Sequence, residues 1–183
     1  MFKDDIVKVV MRDFDWLLVI SLSAVFFSGA IFYEYAFDMP PCYLCVQQRA
    51  LVLGILLSSL FGYAFYTKNI DKPTKLKDAA IILSVCINIT FALLAFEIAS
   101  EHLATSTSSE FSFLFSSCET GTPFPSFMPL DQWLPFLFGV KASCADGMAE
   151  ALGLKMPVYI LYFGMLVTAF SCVKMILVLS GRH

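Results

Sequence analysis

Two cysteines separated by two residues, Cys42 and Cys45, are the part of the sequence best suited to chemistry. This spacing is common in redox-active dithiols. Pro40 and Pro41 come directly before the pair and cannot continue a helix, so a new helix is expected to begin at the cysteines. Unpaired N–H groups and the helix dipole stabilise a thiolate at such a helix N-terminus. A structural disulfide or half of a zinc site is the alternative interpretation.

Arg49 follows Cys45 by four residues, which places both side chains on one face of the predicted helix. A guanidinium group stabilises a nearby thiolate, so this spacing favours a reactive dithiol over a purely structural one. The alternative is that Arg49 only anchors the helix at a membrane interface.

The composition indicates a membrane protein. The chain has 183 residues, of which 58% are hydrophobic, and its mean hydropathy is +0.77. Soluble domains are about 45–50% apolar. The excess lies in four apolar runs, and a membrane-spanning helix needs about 20 such residues. We therefore predict an all-α fold, a four-helix transmembrane bundle forming one domain over residues 1–183, with spans near 16–37, 43–66, 79–99 and 158–179.

Charge decides the predicted orientation. Nine Lys and Arg residues lie in the N-terminal arm, the 67–78 loop and the C-terminal end, against three in the two opposite loops. The positive-inside bias then puts both termini in the cytoplasm and the 38–49 and 100–157 loops outside. A cleaved signal peptide ending near Ala30 is the rival interpretation of the first run. The net charge of −3 and the absence of a basic patch give no indication of a nucleic-acid partner.

All four loop cysteines fall on the predicted outer face, where disulfides persist. They are Cys42, Cys45, Cys118 and Cys144. Cys86 and Cys172 lie inside the third and fourth runs and are expected to be inert small hydrophobes. The aromatic stretch 130–138 is too short to span a bilayer, so we expect a short helix in the membrane interface, or else an ordinary loop packed on the bundle.

Three motifs in order give the chain a family resemblance. They are Pro41-Cys42-Tyr43-Leu44-Cys45 with Gln48-Arg49, Pro129-Leu130-Asp131-Gln132-Trp133-Leu134-Pro135, and Leu152-Gly153-Leu154-Lys155-Met156-Pro157. Within a four-span topology they resemble the disulfide bond formation protein B family, the quinone-dependent membrane oxidases of the bacterial cell envelope. The resemblance covers nearly the whole chain and implies a location in the inner membrane, with the cysteine loops in the periplasm.

The resemblance also implies a relay between two disulfides. Cys118 and Cys144 would form the disulfide offered to a periplasmic thioredoxin-like thiol oxidase of the DsbA type. The thiolate of that partner would attack Cys118 and give a mixed disulfide. The Cys42–Cys45 disulfide would then re-oxidise the outer pair, and Cys45 would pass the electrons to a membrane quinone, either ubiquinone or menaquinone.

By the same resemblance, three polar residues are candidates for contacting the quinone head group. Arg49 and Gln48 lie on the helix that follows the cysteines, and His102 comes shortly after the third apolar run. Arg49 could donate a hydrogen bond to a quinone oxygen and favour developing negative charge. The alternative for His102 is a solvated histidine in a loop.

Four other functions remain open at this point. A sister branch of the family could serve one specialised thiol oxidase. A vitamin K epoxide reductase-like enzyme also couples cysteine pairs to a quinone, but its Cys-x-x-Cys motif comes late in the chain. The four loop cysteines could form a structural zinc site. Finally, the chain could be a non-enzymatic four-span scaffold.

Overall fold

The computed structural model describes residues 2–68, 75–107, 123–142, 150–151 and 153–180. Cys118 and Cys144, the predicted outer pair, lie outside these residues. The described elements, in chain order, are α1 (Phe2–Ala36), α2 (Tyr43–Lys68), α3 (Lys75–Thr107), α4 (Leu130–Trp133), α5 (Pro135–Phe138), β1 (Glu150–Ala151), β2 (Leu154–Lys155) and α6 (Met156–Leu179). β1 and β2 pair in an antiparallel two-stranded sheet.

Four of these helices are long and apolar enough to cross a membrane. The qualifying segments are Phe14–Ala36, Tyr43–Thr67, Asp78–Ala104 and Met156–Val178. Helices suit this setting because each satisfies its own backbone hydrogen bonds where no water is available. The predicted all-α fold with four membrane-spanning helices is confirmed.

The long helices extend beyond the apolar spans predicted from the sequence. α3 continues to Thr107, past the predicted end of the span at residue 99. Its last turns carry more polar residues, which hydropathy alone excludes from a span although they continue the helix. α6 begins at Met156, so Pro157 lies in its first turn. Proline is tolerated in this first turn because the N–H it lacks would have had no partner within the helix.

The bundle is packed around α3, which lies against both α2 and α6, while α1 lies mainly against α2. The main core cluster combines side chains from all four long helices: Val19, Val52, Ile55, Ala92, Phe163 and Val167. α1 and α6 approach each other at few positions. This uneven packing leaves a cleft between α1 and α6 at the end of the bundle where Cys42 lies.

Small and polar residues hold the long helices together. A Cβ atom added at Gly164 would lie 3.0 Å from the carbonyl oxygen of Ala92, so glycine allows α6 to approach α3 closely. Between α2 and α3, the amide of Asn88 donates to the hydroxyl of Ser59 at 2.9 Å. Membrane helices commonly associate through such small residues and interhelical hydrogen bonds.

The aromatic stretch forms two four-residue helices, α4 and α5, which meet at Leu134. Phe138 is fully buried against Val46 of α2 and Phe124, and it anchors the stretch to the bundle. Trp133 and Phe136 remain largely exposed. The predicted short helical structure is present, and its location in a membrane interface stays a prediction.

The close approach of α3 and α6 can be tested by replacing each of two glycines, in separate variants, with alanine. Gly164→Ala should be less stable than Gly29→Ala, since overpacking costs about 1–3 kcal/mol, whereas a Cβ at Gly29 meets no atom of the described chain within 4 Å. Thermal unfolding of both variants in the same detergent is the measurement. Equal melting temperatures would contradict the close packing at Gly164.

Candidate redox site at the α2 N-terminus

The two cysteines meet where α2 begins. Cys42 immediately precedes the helix, which starts at Tyr43 as the two prolines predicted. The Sγ atoms of Cys42 and Cys45 are 2.7 Å apart. The backbone N–H of Cys45 donates to the Cys42 sulfur at 3.3 Å. The first turn of the helix therefore directs a backbone donor at Cys42 and places the two sulfurs in direct contact.

His102 joins this pair from a different helix. Its Nε2 lies 3.7 Å from the Cys42 sulfur, and its side chain is only 1% exposed. It can approach because α3 extends beyond the predicted end of the span. His102 is thus a buried residue of α3 and not a solvated histidine in a loop.

These neighbours change the acidity of Cys42. Its pKa is lowered to about 5, chiefly by the hydrogen bond from the Cys45 thiol. Burial acts in the opposite direction, while His102 and the Cys45 backbone N–H add to the lowering. Above this pH the reduced protein holds Cys42 as a thiolate, which is the reactive form of cysteine.

Cys42, Cys45 and His102 also have the residue types of a metal site, with their ligand atoms all within 4.8 Å of one another. Zinc holds each thiolate at about 2.3 Å in tetrahedral geometry, which separates two sulfurs by roughly 3.7 Å. The two sulfurs are 2.7 Å apart, so they would have to move apart to hold a zinc ion. The geometry favours a dithiol that exchanges with a disulfide over a zinc centre.

Arg49 is buried one turn after Cys45 on α2, where its guanidinium group makes several hydrogen bonds. Nη1 donates to the Glu34 carboxylate at 2.8 Å and to the Leu137 carbonyl at 2.6 Å. Nη2 donates to the Ala30 carbonyl at 3.4 Å. Among the described residues, Nε has no hydrogen-bond partner. The sequence placed Arg49 on the same helix face as Cys45, and both line the same cavity.

Glu34 and Lys141 are site residues that the sequence analysis did not select. Glu34 is buried near the end of α1 and accepts from the Lys141 ammonium group at 2.7 Å. This hydrogen bond raises the pKa of Lys141, so the lysine stays charged. The available signal was a carboxylate inside an apolar run, because such a group needs a cationic partner.

A cavity of about 280 Å³ opens beside Cys45, between α1, α2 and the start of α6. Apolar side chains dominate its walls, among them Phe26, Met39 and Ile160. Gln48, Arg49 and His102 also line it, whereas Cys42 does not. Gln48 Nε2 and Arg49 Nε are buried donors without a partner in the described structure. The cavity could therefore hold a flat apolar ring that carries acceptor oxygens.

The other side of the cysteine pair contacts the second of the two loops predicted to lie outside, residues 100–157, which we call the second outer loop. The backbone N–H groups of Lys141 and Ala142 both donate to the Pro41 carbonyl, at 3.0 and 3.2 Å. Cys42 and Ala142 form an isolated parallel bridge. Ala142 is separated from Cys144 by one residue in sequence. The chain that leads to the outer cysteine is thus held against Cys42.

The low pKa of Cys42 predicts how the reduced protein titrates. The thiolate absorbance of Cys42 is obtained by subtracting the absorbance of Cys42→Ser from that of the wild type. As the pH is varied, this difference should have its midpoint near pH 5, whereas an ordinary cysteine has a pKa of ~8.5. The thiolate is present above this midpoint and is lost as the pH falls through it. His102→Ala should raise the midpoint, because His102 contributes to the lowering. A wild-type midpoint near that of free cysteine would contradict this account.

Comparison with known proteins agrees with these features. The family model for "Disulfide bond formation protein DsbB" matches residues 12–174. Relatives named "Disulfide bond formation protein B" include one from Pseudoalteromonas translucida, 31% identical over 79% of this chain and 77% of the relative. The relative from Psychromonas ingrahamii is 28% identical over 85% of this chain and 78% of the relative. The relative from Escherichia coli K12 is 27% identical over 80% of this chain and 76% of the relative. The chain therefore belongs to the disulfide bond formation protein B family.

Proposed function

We propose that this chain takes electrons from a periplasmic thioredoxin-like thiol oxidase of the DsbA type and passes them through Cys118–Cys144 and Cys42–Cys45 to a membrane quinone. As a member of its family, the protein is a multi-pass membrane oxidoreductase that supports disulfide bond formation. The identity of the electron acceptor, the thiol partner and the order of the cysteines are the parts that we propose.

The observation that carries the proposal is that the two inner sulfurs face different surroundings. Cys45 lines the cavity between α1, α2 and α6. Cys42 lies beside Ala142 of the second outer loop. A relay needs this division, since one sulfur must exchange with the outer pair and the other must deliver electrons to the acceptor.

The cavity suits a quinone head group. Its walls are mainly apolar, and its unpaired donors, Gln48 Nε2 and Arg49 Nε, match the acceptor oxygens of a quinone. The cavity lies between α1 and α6, which make few contacts with each other, so we place the isoprenoid tail between these two helices. We assign head-group binding to Arg49, Gln48 and His102. A bound quinone would accept two electrons and two protons; ubiquinone and menaquinone both offer this chemistry.

The outer pair would begin the relay. We assign Cys118 as the cysteine attacked by the partner's thiolate, which forms a mixed disulfide and releases Cys144. The partner's second thiolate then attacks its own sulfur in the mixed disulfide, so the partner leaves oxidised and the outer pair remains as two thiols. Each exchange breaks one disulfide and forms another, so electrons and protons are conserved.

The loop geometry supports transfer from the outer pair to Cys42. Two peptide units extend the chain by at most about 7 Å beyond Ala142, which limits how far Cys144 can be from the inner pair. A thiolate from the outer pair would attack the Cys42–Cys45 disulfide at Cys42. The freed Cys45 sulfur would then face the cavity, where Arg49 supplies positive charge.

The proposed location is the bacterial inner membrane, with both termini in the cytoplasm and the cysteine loops in the periplasm. The excess of Lys and Arg on the predicted cytoplasmic side supports this orientation. It also places all four redox cysteines in a compartment that is kept oxidising.

The division of labour can be tested by removing the outer cysteines. Cys118→Ser and Cys144→Ser should abolish quinone reduction by the reduced protein partner. Both variants should still reduce quinone when a small dithiol reaches the Cys42–Cys45 pair directly. Equal loss of activity with both donors would contradict the relay. In addition, a partner lacking its second cysteine should be trapped on Cys118, and trapping on Cys42 would reverse the proposed order.

The quinone site can be tested at Arg49. Charge-assisted hydrogen bonds are worth about 1.5–3 kcal/mol, so Arg49→Ala should slow quinone reduction by about ten- to a hundredfold. Arg49→Lys should restore activity only in part, because lysine keeps the charge but loses the planar array of donors. Steady-state kinetics with the small dithiol as donor would measure kcat and the KM for quinone. Wild-type kinetics in Arg49→Ala would move the quinone site elsewhere.

A further inference from the structure

We propose that Glu34 is a positioning residue that couples the quinone cavity to the loop leading to Cys144. The inference rests on the proposed function and adds a component to it. One carboxylate holds two cations from different parts of the chain: Oε2 contacts Arg49 of α2 at 2.8 Å, and Oε1 contacts Lys141 of the second outer loop at 2.7 Å.

Towards the cavity, Glu34 sets the direction of the Arg49 guanidinium group. Both terminal nitrogens of Arg49 donate hydrogen bonds, to the Glu34 carboxylate and to the carbonyl groups of Leu137 and Ala30. Nε is buried and has no partner among the described residues, and Arg49 lines the cavity. A bidentate or fixed guanidinium loses less freedom when it binds a further acceptor. Glu34 therefore prepares Arg49 to bind an acceptor oxygen.

Towards the loop, Glu34 fixes Lys141 by its side chain. The backbone N–H of Lys141 donates to Pro41, directly before Cys42, and the next residue, Ala142, pairs with Cys42. The lysine side chain is 45% exposed, but the carboxylate that it contacts is 5% exposed. The ion pair thus ties a surface loop to a buried group beside the inner cysteines.

Lys141 and Arg49 carry two positive charges and Glu34 carries one negative charge, so the three side chains together have a net charge of +1. This charge favours an electron-rich group in the cavity and a thiolate nearby. Without the carboxylate, two cations would face each other near a largely buried site. Glu34 thereby makes it possible for the loop and Arg49 to be close to the cysteines at the same time.

The first experiment compares two donors in the purified full-length protein. With the small dithiol, Glu34→Gln should raise the KM for quinone about tenfold, whereas Lys141→Met should raise it less, because Arg49 keeps its carboxylate partner. With the reduced protein partner, Lys141→Met should slow turnover about fivefold, and Lys141→Arg should restore it. Glu97→Gln, at an exposed glutamate of α3, is the matched control and should behave as wild type in both assays.

A second experiment reads the loop without any quinone. In a Cys45→Ser, Cys118→Ser background, diamide should join Cys42 and Cys144 in a disulfide, taking two electrons and two protons from the thiols. Glu34→Gln and Lys141→Met should each slow this cross-link about fivefold, and the double variant should be no slower than Glu34→Gln alone. Melting temperatures of all variants identify any loss of folding.

The two experiments separate the possible failures. Absence of quinone reduction by the wild type with either donor overturns the proposed function, while the cross-linking rates still test Glu34. If Glu34→Gln matches Glu97→Gln in KM and in cross-linking rate, the coupling role is overturned. It is also overturned if the effects of Glu34→Gln and Lys141→Met on cross-linking are additive.

Discussion

A buried guanidinium group imposes the main constraint on this structure. Arg49 is always charged and lies in a largely apolar bundle, where an unpaired cation would be very costly. Its charge is met by Glu34 of α1, and two further hydrogen bonds run to carbonyl groups of α1 and α5. These contacts fix α1 and the second outer loop around the start of α2. The cavity and the cysteine pair lie within the frame that results.

The cysteine pair depends on this frame for its asymmetry. Both sulfurs belong to one helical turn, so their local sequence gives them similar access to the helix N-terminus. Their neighbours differ because the cavity lies on one side and the segment ending at Ala142 lies on the other. His102 adds a further difference, since it contacts Cys42 from α3. Long helices thus give two chemically identical side chains distinct environments.

The packing of the helices also explains how a membrane ligand could reach the site. α3 is central and makes extensive contacts with α2 and α6, while α1 and α6 line a cavity beside Cys45. In a bilayer, no hydrophobic force closes such a gap, because lipid tails are as apolar as the side chains that line it. The cavity between α1 and α6 can therefore persist as part of the stable fold.

Much of this arrangement follows from the sequence alone, because its causes are local. Apolar runs of sufficient length determine the four helices, Pro40 and Pro41 determine where α2 begins, and the four-residue spacing places Cys45 and Arg49 on one face. The family motifs are equally readable. The end of α3 could not be predicted in this way, because hydropathy marks where a span stops being apolar and does not mark where its helix ends.

Only the tertiary structure decided which distant residues meet. Glu34 pairs with Lys141 across 107 positions, and His102 reaches Cys42 across 60. No periodicity in the sequence encodes these contacts, since they result from how helices pack and how the second outer loop folds back on them. The sequence could indicate that a carboxylate in an apolar run needed a partner. Which cation met it depended on the packing of α1, α2 and that loop in three dimensions.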